Sequence, residues 1–145
     1  MKLGRLLLLV LGGIIAFAAD RALSDDALSV SLRRTPPWGM PGQFGDLIIV
    51  EDKTIRSVIF GDLGPGFASE RKPLSDQQML EIEKLIATWG KSWMVALKRD
   101  NCMYELFAGK RYYKAHWIIP SSIWAIMRWL VDHNPGPGLD TDFCK

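Results

Sequence analysis

The chain has 145 residues, 48% of them hydrophobic, and its 18 basic and 16 acidic side chains nearly balance. This length suits one domain with one core. The weak net charge excludes the strongly basic surface that nucleic-acid binding requires, so nucleic acid is not an expected partner.

The N-terminus predicts export. Lys2 and Arg5 precede an uncharged apolar run from 6 to 19, which contains the small-x-small sequence A-F-A at 16–18. This order is typical of a secretory signal peptide. The run is also shorter than the roughly twenty residues that span a bilayer.

We therefore expect cleavage after Ala18 and a mature protein that is secreted or periplasmic. The sequence then divides into a signal peptide over 1–18, a short linker over 19–27 and one globular domain over 28–145. Loss of Lys2 and Arg5 with the leader leaves the mature chain with a formal charge of zero.

The first half of the domain predicts strands followed by a helix. Apolar residues alternate with polar ones over 28–33, which predicts a half-buried strand. The β-branched runs 47–50 and 55–60 flank the polar turn 51–54 and predict a hairpin. The segments 35–45 and 61–73, rich in Pro and Gly, predict loops.

A helix is predicted to begin after Ser75. Ser75 stands three residues before Gln78, as in a capping box, and Leu74 and Met79 have the spacing of a hydrophobic staple. Apolar residues recur at intervals of three and four up to Trp89, before Gly90, so one side of the helix is expected to pack inward.

The second half repeats this order. Residues 93–97, 102–107 and 112–119 predict three strands, and the second helix is expected over 123–132. The predicted fold class is α+β, an antiparallel meander sheet with two helices packed on one face in two layers.

Cys102 and Cys144 are the two cysteines of the chain. An even pair in an exported protein predicts a disulfide bond. Closing this loop would stabilise the fold by about 4 kcal/mol on the chain-entropy argument and would hold the Pro/Gly-rich tail against the body.

The segment after the first strand resembles a turn in a family of exported bacterial domains of unknown function. The family pattern is R-T-x-C-[FY]-G-x-C-P-x-Y, followed by a hairpin and a helix that opens with Leu-Ser. The matching residues are Arg34, Thr35, Trp38, Gly39, Phe44, Leu74 and Ser75, whereas Pro37 and Pro41 replace both motif cysteines and Gly42 replaces the proline. The resemblance implies the fold and the exported address and no activity.

No residue set predicts catalysis. His116 and His133 are the two histidines, and neither lies in a nucleophile or metal-binding motif. We expect His116 on the wetter face of a strand and His133 at a helix C-terminus. The protein is accordingly expected not to be an enzyme and to need no cofactor or metal.

Six tryptophans allow two interpretations. Trp89 and Trp117 lie on apolar stripes and are expected in the core, whereas Trp38, Trp93, Trp124 and Trp129 cannot all be buried by the same argument. Exposed aromatic residues are typical anchors of protein recognition. The candidate partner-binding residues are Trp38, Phe44, Phe67 and Tyr112; alternatively, Trp124 and Trp129 broaden the buried side of a short helix.

The prolines of the loop over 35–44 suggest that it is ordered and presents Trp38 to a partner. The expected function is an exported, non-catalytic binding protein, of the inhibitor or immunity type, that acts on another protein or envelope macromolecule. The alternatives are an envelope structural protein, tethered to the membrane if the leader is retained, and a small hydrolase.

Overall fold

The computed structural model describes residues 28–36, 45–61, 64–98 and 101–136. The predicted leader and linker, most of the loop with Trp38 and Phe44, and the tail with Cys144 lie outside the described residues. The described part has an α+β fold, which confirms the predicted fold class.

Nine strands are present in the described part. In chain order they are β1 (Val30–Thr35), β2 (Gly45–Glu51), β3 (Thr54–Gly61), β4 (Gly64–Ala68), β5 (Lys72–Pro73), β6 (Val95–Leu97), β7 (Met103–Ala108), β8 (Arg111–Ala115) and β9 (Ile118–Pro120). Seven form the main sheet, in the order β4-β3-β2-β1-β7-β8 with β5 beside β3. All pairs are antiparallel: the first four strands form a meander, and β7 returns to the free side of β1.

The predicted hairpin is confirmed. Strands β2 and β3 pair from Gly45↔Phe60 to Glu51↔Thr54, with Asp52 and Lys53 as the two turn residues. Both have positive φ, 50° and 56°, as the two central residues of a type I′ turn require.

The loop predicted over 61–73 is wrong, because this segment contains two short edge strands. Phe67 pairs with Ile59, and Lys72 pairs with Ile55. An edge strand needs backbone hydrogen bonds on one side only and so accommodates the Gly and Pro residues that suggested a loop.

Two helices lie in the described residues, α1 (Asp76–Ala87) and α2 (Ser121–Asp132). The predicted capping box of α1 is confirmed: Gln78 N donates to Ser75 Oγ (3.1 Å), and Ser75 N donates to Gln78 Oε1 (2.9 Å). Helix α2 begins after Pro120, which gives no side-chain cap.

One core joins the sheet and the helices. Alternate residues of β1, β2, β3 and β7 point to one face of the sheet and share a cluster with the inward side chains of α1 and α2. The fully buried members include Val30, Leu32, Ile48, Val50, Ile55, Ile82, Leu106, Ile126 and Leu130. Residues at odd positions of β2, such as Leu47 and Ile49, face the opposite side and are half-buried.

The strand predicted over 112–119 is two strands in two sheets. Strand β8 ends at Ala115, which pairs with Tyr104, whereas β9 pairs with β6 in a separate two-stranded sheet. A bend at His116 and Trp117 interrupts the alternation of inward and outward side chains. Ala115 and Ile119 are therefore buried, while Trp117 is exposed. The prediction of Trp117 as a core residue is therefore wrong.

Helices in the described ranges are too short or too polar to cross a bilayer.

Candidate functional site

Within the described residues, the two-stranded sheet carries the largest group of exposed apolar side chains. We call residues 93–98 and 117–121, which contain β6 and β9, the ribbon. Its register is Val95↔Pro120, Ala96↔Ile119 and Leu97↔Ile118. Ile119 is fully buried in the core, whereas Val95, Leu97 and Ile118 face solvent.

Six large apolar side chains of the ribbon form what we call the ribbon patch. Their exposed fractions are 91% for Trp93, 56% for Met94, 61% for Val95, 69% for Leu97, 63% for Trp117 and 57% for Ile118. Because consecutive residues of a strand point to opposite faces, the patch extends over both faces of the ribbon. Single exposed apolar side chains are ordinary on a soluble protein, whereas six together indicate an interaction site.

Hydrogen bonds close the ribbon at both ends. Ser121 N donates to Met94 O (2.9 Å), and Lys98 N donates to Trp117 O (2.8 Å). The hydroxyl groups of Ser92 and Ser121 are also hydrogen-bonded to each other. The patch is thus held in place before any partner arrives, which lowers the entropy lost on binding.

The Lys98 side chain packs between the ribbon and the main sheet. Its side chain is buried, and its ammonium group lies 5.3 Å from the ring centroid of Trp117 and 5.4 Å from that of Tyr104. The same ammonium group donates to Cys102 O. Cation–π contacts on both rings fix the position of Trp117 relative to the main sheet.

A buried ion pair lies farther along the same face of the sheet. Arg34 is the cross-strand neighbour of both Asp46 and Tyr104. Its guanidinium group binds the Asp46 carboxylate with two hydrogen bonds, Nε to Oδ1 at 2.7 Å and Nη2 to Oδ2. The pair fixes the ends of β1 and β2, from which the predicted recognition loop departs.

Two of the sequence-predicted partner-binding residues are described, and the structure does not bring them together. Phe67 and Tyr112 are about half exposed, on β4 and β8 at opposite edges of the main sheet. Five strand spacings of about 4.8 Å separate them by roughly 24 Å. Their cross-strand partners, Ile59 and Phe107, place them on opposite faces.

The remaining sequence-predicted sites are tested only in part. Trp38 and Phe44 lie outside the described residues. Cys102 is fully buried immediately before β7, but Cys144 lies outside the described residues, so the disulfide remains a prediction.

One of the two histidines occupies its expected position. His116 is exposed, but it lies at the bend between β8 and β9 and not on a strand, so that part of the prediction is wrong. His133 caps α2: its Nδ1 lies 2.7 Å from Trp129 O, and its ring stacks on the Trp129 indole at 4.0 Å. Residues 28–36, 45–61, 64–98 and 101–136 contain no group of three His, Cys, Asp or Glu side chains suited to a metal ion.

Three hydrogen bonds shift the pKa values of two groups at the surface. Hydrogen bonds from Gln77 and then Trp129 hold the pKa of Glu81 below its ordinary value. The hydrogen bond between Tyr112 Oη and Glu105 (2.7 Å) raises the pKa of Tyr112. Neither group adjoins the ribbon patch in sequence.

Sequence reasoning named none of the six patch residues as partner-binding residues: it placed Trp117 in the core and left the burial of Trp93 open. The signal available was the run W-M-V-A-L at 93–97, where exposed and inward positions are both apolar. Alternation therefore did not distinguish a strand buried on both faces from one with an exposed apolar face.

Comparison with protein-family models, with curated proteins and with solved structures finds no match for this chain.

Proposed function

We propose that the protein is an exported, non-catalytic binding protein and that it contacts a macromolecule of the cell envelope through the ribbon patch. The observation that carries this proposal is the group of six large apolar side chains, each more than half exposed, on one short ribbon, because grouped exposed apolar side chains mark interaction sites. The export part rests on the leader sequence.

The chemistry of the patch suits binding. Tryptophan is among the residues most enriched at binding hot spots, and Trp93 and Trp117 are both exposed here. The backbone beneath them is fixed by the closing hydrogen bonds, so binding does not need to order a loop.

The test compares binding of the exported protein to an isolated envelope fraction. Trp93→Ser combined with Leu97→Ser removes the centre of the patch. We expect binding to weaken by about 30-fold or more, the loss typical of a hot spot. The free energy of unfolding should change by about 0.5 kcal/mol or less per substitution, because both side chains are mostly exposed.

The matched control is Phe67→Ser combined with Tyr112→Ser. This pair also removes two exposed aromatic side chains, but from the main sheet. We expect this variant to bind like the unchanged protein. Equal binding by the ribbon variant and the control would overturn the proposal.

A further inference from the structure

We propose that the macromolecule is an anionic lipid surface, and that the ribbon patch inserts into its interfacial layer. This inference rests on the proposed function, because it names the partner of the same patch. Three features of the ribbon carry it: its lack of polar side chains, the sign of the neighbouring charges and its size.

The patch is poor in hydrogen-bonding groups. Among its six side chains, the indole N–H groups of Trp93 and Trp117 are the conventional donors, and there is no conventional acceptor. A protein interface forms about one hydrogen bond per 100–200 Å², and the side chains of the patch can supply few of them. A lipid interface does not require these hydrogen bonds, and tryptophan is enriched in proteins where membrane and water meet.

The formal charges next to the patch in sequence have one sign. Residues 88–98 and 116–122 contain Lys91 and Lys98 and no Asp or Glu. Lys91 is exposed, whereas the Lys98 side chain is buried against the Trp117 ring. Arg99 and Asp100, which follow outside the described residues, cancel in formal charge. Basic side chains beside an apolar surface favour anionic headgroups.

The size and edges of the ribbon fit shallow insertion. Three residues of a strand span about 10 Å, far less than the roughly 30 Å of the hydrocarbon core, so the ribbon can reach no deeper than the outer part of one leaflet. Within the described residues β6 pairs with β9 alone, which leaves its outer edge open. Unpaired backbone groups are costly in hydrocarbon but are hydrated among headgroups, so the open edge limits the ribbon to the interfacial layer.

The test measures sedimentation with lipid vesicles. The protein is produced by export, so that any processing of the leader has already occurred and all variants share one N-terminus. One set of vesicles contains phosphatidylglycerol and phosphatidylcholine in equal parts, and the other contains phosphatidylcholine alone. We expect preferential binding to the anionic vesicles, with tryptophan fluorescence shifted to shorter wavelength and quenched by lipids brominated near the headgroup.

Two variants separate the apolar and the charged contributions. Trp93→Ser with Leu97→Ser should reduce partitioning at least about tenfold on both kinds of vesicle. Lys91→Glu should weaken binding to the anionic vesicles alone, by a factor of roughly five or more as one attraction becomes a repulsion. The matched control is Lys110→Glu, which changes another exposed lysine, in the turn between β7 and β8, and should bind more tightly than Lys91→Glu.

Each alternative result overturns the inference in a recognisable way. Binding to the envelope fraction that depends on the ribbon, without binding to vesicles, would identify a protein partner; the proposed function would stand and the lipid inference would fall. A dimer that the ribbon variant dissociates, again without vesicle binding, would identify a second copy as the occupant. Vesicle binding unchanged in the ribbon variant would place the contact elsewhere. Absence of both kinds of binding would overturn the proposed function as well.

Discussion

Asp46 is fully buried, and the Arg34 guanidinium group holds its carboxylate with two hydrogen bonds. Asp46→Asn keeps the shape of the side chain but removes the carboxylate charge that pairs with the arginine in the interior. We expect a loss of about 3–5 kcal/mol in the free energy of unfolding, measured by urea denaturation.

The control for this prediction is Asp132→Asn, because the Arg128–Asp132 pair is mostly exposed. Its expected effect is about 0.5 kcal/mol or less. Replacing both members of the buried pair, by Arg34→Met with Asp46→Leu, should recover much of the loss. A cost for Asp46→Asn no larger than that of the control would contradict the buried ion pair.

Trp93 and Trp117 show that the type of a residue does not determine whether it is buried. The sequence predicted that some tryptophans are exposed, but it assigned Trp117 to the core, and the structure shows it 63% exposed. The reason is a two-residue bend after Ala115, which no change in composition marks. Trp129, for which both interpretations were open, is buried and donates to Glu81 from its indole N–H (3.3 Å).

At the scale of elements, the contact between α1 and α2 contains a titrating group. Glu81 on α1 accepts the indole N–H of Trp129 on α2, and the pKa of Glu81 is below its ordinary value of 4.5, first because of Gln77 and then because of Trp129. The folded state therefore favours the ionised carboxylate. Its contribution to stability is present above 4.5 and disappears as the pH falls through the lower folded pKa.

Glu81→Gln tests this linkage, because glutamine has the same shape and does not ionise. The difference in unfolding free energy between the unchanged protein and the variant should be largest at neutral pH and should vanish in acid. Thermal or urea unfolding across this range measures it. A difference that is constant with pH would show that ionisation of Glu81 does not contribute to the contact.

Elements with a local signal were predictable. The capping box at Ser75 and the apolar spacing that follows fix α1, and the polar turn between two β-branched runs fixes the hairpin of β2 and β3. Strands β4 and β5 could not be predicted in this way. Their glycine and proline residues are typical of loops, and only pairing with β3 makes these segments strands.

The order of the strands in the whole sheet also could not be predicted from local sequence patterns. A meander describes β1 to β4, but β7 returns to the free side of β1 after the first helix, a pairing over more than sixty residues of chain. Such long-range pairing depends on which faces are buried together, and alternation within one strand does not specify it.

At the scale of the molecule, the predicted disulfide between Cys102 and Cys144 would hold the C-terminal tail to the core. Treatment of the unreduced, denatured protein with a thiol reagent should label neither cysteine, and reduction should lower the free energy of unfolding by about 4 kcal/mol. Labelling of both cysteines before reduction would refute the bond. Cys102→Ser with Cys144→Ser, which lacks the bond, should be insensitive to reductant.

The most direct measurement of the ribbon as the contact surface is amide hydrogen exchange of the exported protein, with and without anionic vesicles. The account predicts slower exchange in residues 93–98 and 117–121 on binding, and unchanged exchange in the strands that carry Phe67 and Tyr112. Protection confined to the main sheet, or no protection in the ribbon when the protein is fully bound, would contradict it.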